Sequence, residues 1–405
     1  MMRSVLIAAA FTPILLGLVN CGGSTASAPD VSPTDDAMAT AEGGLPIEMS
    51  DATVPEDAGP AVFKTAAHQP LPQMPKHTNK ILTAPHLVTI TYASYTYQSQ
   101  VEDFGKFMVT SSWMTSVGAE FGVLAGTHEE RRFPEIAPAT IKDAGIRNLI
   151  IAKIAASALP APTVGGQNVY MIYFPATTVI TDSGGAKMCG ANGSVGYHGS
   201  GKSGGIDFAY AVVADCGSGF PSITSTASHE LIEAASDPWN APNDGYFMDF
   251  SAPDLWYTDY GDEDADMCQY EADIGEGIWT LQRSYSNVAA AAGGSPCVPA
   301  VAGEAYNNVS AMPATMPDVA PGGSFVFTIT GWSTLKTAPW KLALGPGDQT
   351  DFDPKPVLSG TSITNGDTVT VTLKAPATAT AGTIGSAYIF SGDAGHFWPV
   401  AIRVR

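Results

Sequence analysis

From about residue 85 the chain alternates between β-forming runs and stretches whose apolar residues recur at helical spacing. Leu87-Val88-Thr89-Ile90-Thr91-Tyr92 is rich in β-branched and aromatic residues and predicts a strand. Val101, Phe104, Phe107 and Met108 follow at intervals of three and four, predicting a helix that continues towards Trp113. Pro134 and Pro138 mark a loop. Ile146, Leu149, Ile150 and Ile154 give a second amphipathic helix, ended by Leu159-Pro160-Ala161-Pro162. Asn168–Phe174 and Phe208–Val213 read as strands, separated by a Gly- and Ser-rich stretch from Gly184 to Gly205. A helix then covers residues 228–236, with Thr224, Ser225, Thr226 and Ser228 as candidate N-caps and Asp237-Pro238 as its stop. Ile278–Gln282 is one more strand.

Beyond residue 300 the pattern shortens into alternating strands: Ser324–Thr330, Thr368–Leu373, Ala387–Phe390 and Pro399–Val404. Asn365-Gly366 is a hairpin signal. This predicts an all-β, immunoglobulin-like sandwich over residues 300–405, after an α/β (α+β) domain over residues 85–299. His396, beside Phe397 and Trp398, fits a packed aromatic corner, while Trp332, Trp340 and Trp398 are candidates for stacking on carbohydrate. Residues 61–84 are placed to act as a pro-segment over a cleft.

The other end of the chain reads as an export signal. Arg3 precedes a short apolar run, Val5–Leu18, interrupted by Pro13 and too short for a comfortable transmembrane helix. Leu18-Val19-Asn20-Cys21 resembles a lipobox, making residues 1–21 a lipoprotein signal and Cys21 the acylated residue. Asn20 departs from the small residue usual there, so cleavage to a secreted product is the alternative. Residues 22–84 form a tether and lead-in, poor in large apolar groups up to about residue 60. Gly22 and Gly23 favour the outer membrane or cell surface of a bacterium, with membrane attachment by the lipid anchor only.

A formal charge of −20 excludes nucleic acid as a natural partner, because phosphates demand Lys and Arg. With 42 Gly, 30 Pro and 14% charged residues, the body has the composition of a loop-rich exported protein. Four of the five cysteines remain once Cys21 is set aside, an even number that suits disulfides in an oxidising compartment. Three pairings are open. Joining neighbours, Cys189 to Cys216 and Cys268 to Cys297, closes two short loops worth roughly 3–4 kcal/mol each. A cysteine zinc site has no CxxC spacing to support it.

The chemistry concentrates in Ser228-His229-Glu230-Leu231-Ile232-Glu233-Ala234-Ala235-Ser236-Asp237-Pro238. On a helix, His229 and Glu233 lie one turn apart on one face, with Glu230 about 100° round. That is the geometry of the zinc-peptidase motif HExxH with Glu in place of the second His. Such a site needs a third ligand from elsewhere and a carboxylate beside the bound water, the role open to Glu230. Two carboxylate ligands weaken selectivity for Zn²⁺ and admit Mn²⁺ or Ca²⁺; they also make the bound water harder to deprotonate. Glu in an early helical turn has an ordinary dipole role as well.

Four segments in order, LVTITYASYTY with VEDFGKF, CGANGSVGYHG, SHELIEAASDP and EDADMC, resemble the EXORDIUM-like, phosphate-induced family of secreted proteins and its bacterial relatives. The resemblance spans about residues 85–270 and implies a zincin-like metallopeptidase fold. It places Asp266 as third ligand, with Glu263 next, because both match the family's E-x-x-D-x-C pattern; Asp262 and Asp264 are the other acidic candidates. Asp262, Asp264 and Asp266 alternate as in a calcium loop, yet Met267 stands where an EF-hand needs Gly. His198 loosely matches the family's C-G-x-x-G/Y-H pattern, either as a donor to an oxyanion or as a satisfied loop histidine. Trp256 and Tyr257 are candidates to line a cleft. The activity expected from the ligand set and Glu230 is peptide-bond hydrolysis outside the cytoplasm, with Tyr170–Phe174 as an edge on which a peptide could pair. The competing expectation is a non-catalytic surface protein that binds a glycan, wall polymer or peptide. The oligomeric state stays open.

Overall fold

The computed structural model describes residues 63–190, 194–239, 242–248, 263–346, 355–392 and 396–405. Cys21, the signal and the tether before residue 63, Asp262, Trp256 and Tyr257 lie outside the described residues. The chain is a mixed α/β structure with many sheets and few helices. In order come β1 (His86–Tyr92), α1 (Gln98–Met108), α2 (Ser112–Gly118), β2 (Thr127–Phe133), β3 (Thr140–Lys142), α3 (Asp143–Ala155), β4 (Asn168–Phe174), β5 (Val179–Thr181), β6 (Gly196–Ser203), β7 (Ile206–Ala214) and α4 (Phe220–Ser236).

A five-stranded sheet runs in the order β2-β1-β4-β7-β6. Four strands are parallel and β6 is antiparallel to β7. A parallel sheet needs cover on both faces, and the alternation along β4 shows how it gets it. Val169, Met171 and Tyr173 face the core shared with α1, α2 and α4, while Tyr170, Ile172 and Phe174 face the core under α3. Every residue of β4 is buried, and β1 and β7 flank it on either side. Tyr170–Phe174 is therefore the middle of the sheet, and the expectation that it offers an edge to a peptide is wrong.

The edges fall elsewhere. β2 (THEERRF) has a charged, largely accessible pattern that gives no apolar signal. β6 (GYHGSGKS) carries three glycines, and two of them explain how so polar a run becomes a strand. Gly199 and Gly201 sit opposite Tyr210 and Phe208, and a Cβ would meet those side chains at 2.9 and 2.4 Å. The aromatic rings of β7 fill the space the glycines leave. Gly204 and Gly205, both at positive φ, make the two-residue turn that aims β6 back along β7.

The chain continues with β8 (Ile274–Glu276), β9 (Trp279–Leu281), β10 (Ser284–Tyr285), α5 (Asn287–Ala291) and β11 (Cys297–Val298). The final part holds β12 (Asn307–Met312), β13 (Asp318–Val319), β14 (Ser324–Ser333), β15 (Trp340–Pro346), β16 (Val357–Leu358), β17 (Ser362–Ile363), β18 (Thr368–Lys374), β19 (Ile384–Ser391) and β20 (His396–Val404). These form two mostly antiparallel sheets, β12-β14-β18-β16 and β13-β20-β19-β15-β17, whose apolar faces share one core. Asn365-Gly366 does turn the chain, with Gly366 at φ +93°. It joins strands of different sheets, because β17 pairs with β15 and β18 with β14 and β16, so it is a crossover and no hairpin. Trp332, Trp340 and Trp398 are buried at 0, 6 and 6% exposure, which removes them as carbohydrate platforms.

The core does not break at residue 300. Arg283 Nη2 meets Glu304 at 2.7 Å, His396 Nε2 meets Glu271 at 2.8 Å, and the His396 ring packs tilted against Tyr306 with centroids 4.1 Å apart. His396 is a packed histidine that ties the β-rich part to the α/β part. The lead-in is also built into the body from residue 63: Leu71, Met74 and Leu82 are buried, and Leu82 N–H donates to Ala235 O at the end of α4. No described helix is long and apolar enough to cross a membrane. Cys189 bonds Cys216 and Cys268 bonds Cys297, the neighbour pairing, which fits the oxidising compartment that export provides.

Candidate metal centre

α4 begins earlier than the sequence suggests. Gly219 is its N-cap, without a side-chain cap, and Pro221 occupies its first turn, where a missing N–H costs nothing. Thr224, Ser225, Thr226 and Ser228 are thus inside the helix. Asp237 ends it as expected. From Ala227 to Ser236 every residue is buried, so α4 is a core helix whose polar residues face one another rather than water.

His229, Glu233 and Asp266 converge. His229 Nε2 lies 3.1 Å from Glu233 Oε1 and 3.4 Å from Asp266 Oδ1. The Nε2 atom has no hydrogen-bond partner in this arrangement although it is shielded from solvent. Donors bound to one tetrahedral zinc at about 2.0–2.1 Å stand about 3.3 Å apart, a spacing that both separations from His229 Nε2 approach. On the opposite side of the ring, His229 Nδ1 is 3.0 Å from Gln282 Oε1, which accepts its N–H and leaves Nε2 directed inward. Gln282 is itself held: its amide donates to Ala265 O at 2.8 Å, and its backbone N–H donates to Ser228 Oγ at 2.9 Å. Asp266 N–H donates to Glu233 Oε1 at 3.0 Å, and the Cys268–Cys297 bond anchors the same turn two residues on.

His198, on β6, approaches from the other side. Its Nδ1 is 3.5 Å from Glu233 Oε2 and 3.7 Å from Glu230 Oε2, and its Nε2 is 3.4 Å from Glu263 Oε1. Glu263 therefore belongs to His198 rather than to His229. Asp264 accepts from Ser236 Oγ at 3.2 Å. Glu230 fits only because β6 carries Gly196 beside it, where a Cβ would meet Glu230 Oε1 at 2.4 Å.

Burial governs the electrostatics. Glu230, Glu233, Glu263, Asp264 and Asp266 are all at most 6% exposed, and the ion pairs described for Glu230, Glu233 and Glu263 are with histidine alone. Desolvation by itself would lower both histidines; their carboxylate neighbours override it and hold His198 and His229 well above the ordinary imidazole range. Desolvation raises Glu230, Glu263 and Asp264, the last to about 7 with help from Glu233. For Glu233 desolvation is outweighed by His229 and His198, and the group is driven down. A cluster this acidic, this buried and this short of cations has the donor chemistry of a divalent-ion site. His229, Glu233 and Asp266 are a set of three residues that could hold such an ion.

Sequence reasoning missed Gln282 and Gly196. Neither carries a local signal: Gln282 ends a short strand 53 residues from its partner, and Gly196 matters only through what β6 lies against.

No family model and no curated protein matches the chain. Among solved structures, the archaellum periplasmic stator protein FlaG from Sulfolobus acidocaldarius is similar at 9% identity, over 24% of this chain and 97% of that one. The TM-score is 0.16, far below that of a shared fold.

Proposed function

We propose that this chain is an exported, metal-dependent hydrolase of peptide bonds, built on a zincin-like domain of the EXORDIUM-like kind and followed by an immunoglobulin-like sandwich. Cys21 anchors it by lipid to the outer membrane or cell surface. The observation that carries the reading is the convergence of His229 Nε2, Glu233 Oε1 and Asp266 Oδ1, with Gln282 fixing the His229 ring.

His229, Glu233 and Asp266 would hold Zn²⁺. When bound, the ion supplies a Lewis acid for the scissile carbonyl and a water of lowered pKa. Glu230 stands one residue from His229 with its Oε2 free of hydrogen bonds, and its raised pKa suits it to take up a proton and pass it to the leaving amine. His198, protonated between its carboxylates, is placed to donate to a developing oxyanion. Among the described residues β6 pairs only with β7, and the strand carries His198. Its other edge takes over the peptide-pairing role that the central β4 cannot fill.

One observation favours a non-catalytic binding protein: the site brings two carboxylates to the ion, and further acidic groups crowd it, which weakens activation of water. Glu230→Gln separates the readings. A hydrolase loses at least about 10²-fold in turnover of a peptide library while keeping its metal. A binding protein shows no turnover to lose and keeps its ligand.

A further inference from the structure

Glu233 presents its two oxygens to two different histidines. Oε1 faces His229, whereas Oε2 faces His198 Nδ1 at 3.5 Å, and Glu230 Oε2 lies 3.7 Å from the same nitrogen. Glu230 is 1% exposed and its Oε2 has no hydrogen-bond partner. Across the ring, Glu263 Oε1 lies 3.4 Å from His198 Nε2. A carboxylate thus stands behind the His198 ring at ion-pair distance, while Nδ1 on the other side faces Glu230 and Glu233.

We propose that His198 Nδ1, Glu230 Oε2 and Glu233 Oε2 form a second divalent-cation site, with Glu233 bridging it to the first. Charge balance supports it. Glu230, Glu233, Glu263, Asp264 and Asp266 bring five negative charges when ionised, and one divalent ion leaves three of them uncompensated in a buried site. A second ion leaves one, which removes most of a penalty of the kind that makes unpaired buried charges costly. Both sites offer one imidazole and two carboxylate oxygens, a donor set that admits Mn²⁺ or Ca²⁺ as well as Zn²⁺. Filling this site makes Glu230 a ligand and so withdraws it as proton acceptor. The second ion is then a switch on the hydrolase, and in this respect the inference rests on the proposed function.

The test uses the full chain, stripped by chelator and dialysed against Mn²⁺ alone, with ion content read by elemental analysis and by electron paramagnetic resonance. Two-metal sites hold their ions about 3.5–4 Å apart, close enough for magnetic coupling. The wild type is expected to hold two Mn²⁺ per chain with a coupled spectrum. His198→Ala and the bulkier His198→Gln, checked for native circular dichroism, should each hold one, uncoupled. One ion per chain in the wild type, unchanged by either substitution, overturns the second site and leaves the first intact. No ion in wild type with Mn²⁺ or Zn²⁺ overturns both.

Discussion

Replacing Gln282 by Met tests whether the inward-facing His229 nitrogen is a metal ligand. Met matches Gln in length and volume but donates no hydrogen bond, and its sulfur is only a weak acceptor. The structure gives two losses. His229 Nδ1 loses its acceptor at 3.0 Å, and Ala265 O loses its donor at 2.8 Å. Both groups are buried, and each unsatisfied partner costs about 1–3 kcal/mol, so stability should fall by about 2–6 kcal/mol. The second consequence is specific to metal. Without Gln282 the imidazole is free to change tautomer and tilt, and outer partners of this kind are worth about 10–100-fold in metal affinity. The assay is competition for zinc against a chromophoric chelator, with urea unfolding of the metal-free protein measured alongside. Stability loss with zinc affinity unchanged would refute the reasoning: Gln282 would be a packing residue and His229 Nε2 would not face an ion.

Two further outcomes follow. Gly196→Ala drives a Cβ to within 2.4 Å of Glu230 Oε1 and 2.5 Å of Thr226 Cγ2, both on a helix too buried to retreat. It should cost about 1–3 kcal/mol in urea unfolding and displace Glu230, cutting any peptidase turnover by about 10²-fold while zinc content at His229 stays near wild type. Asp264 controls a pH dependence of the metal-free protein. Its pKa is raised to about 7 by burial and by Glu233, against 3.8 in the unfolded chain, so between those values the folded state binds the extra proton. Stability from this group is therefore full below about pH 4 and lost as pH rises through 7. Asp264→Asn should flatten that fall, by up to about 4 kcal/mol across the window, in urea midpoints measured with chelator.

The motif on α4 was legible because helical geometry converts sequence spacing directly into a shared face: His229 and Glu233 needed no tertiary information. The strands β1, β4 and β7 and the helices α1 and α3 were legible for the same reason, since burial on one or both faces writes itself into apolar periodicity. β2 and β6 were not. An edge strand has less to bury, and in β6 the apolar surface belongs to Tyr210 and Phe208 across the ladder rather than to its own glycines. The start of α4 was missed because Gly219 and Pro221 define it by backbone geometry, while the serines and threonines that looked like caps sit one to two turns inside. Asp266 came forward from a resemblance, and its closeness to His229 depends on a loop that no local pattern fixes. Gln282 shows the limit most clearly, being an ordinary polar residue whose role exists only where β9 ends against α4.

The most direct test is zinc content of the purified full chain by elemental analysis after loading with Zn²⁺, beside His229→Ala. The account predicts at least one zinc per chain in the wild type, with the tightest-bound equivalent missing in His229→Ala. An unloaded wild type, or equal zinc in both proteins, would contradict it.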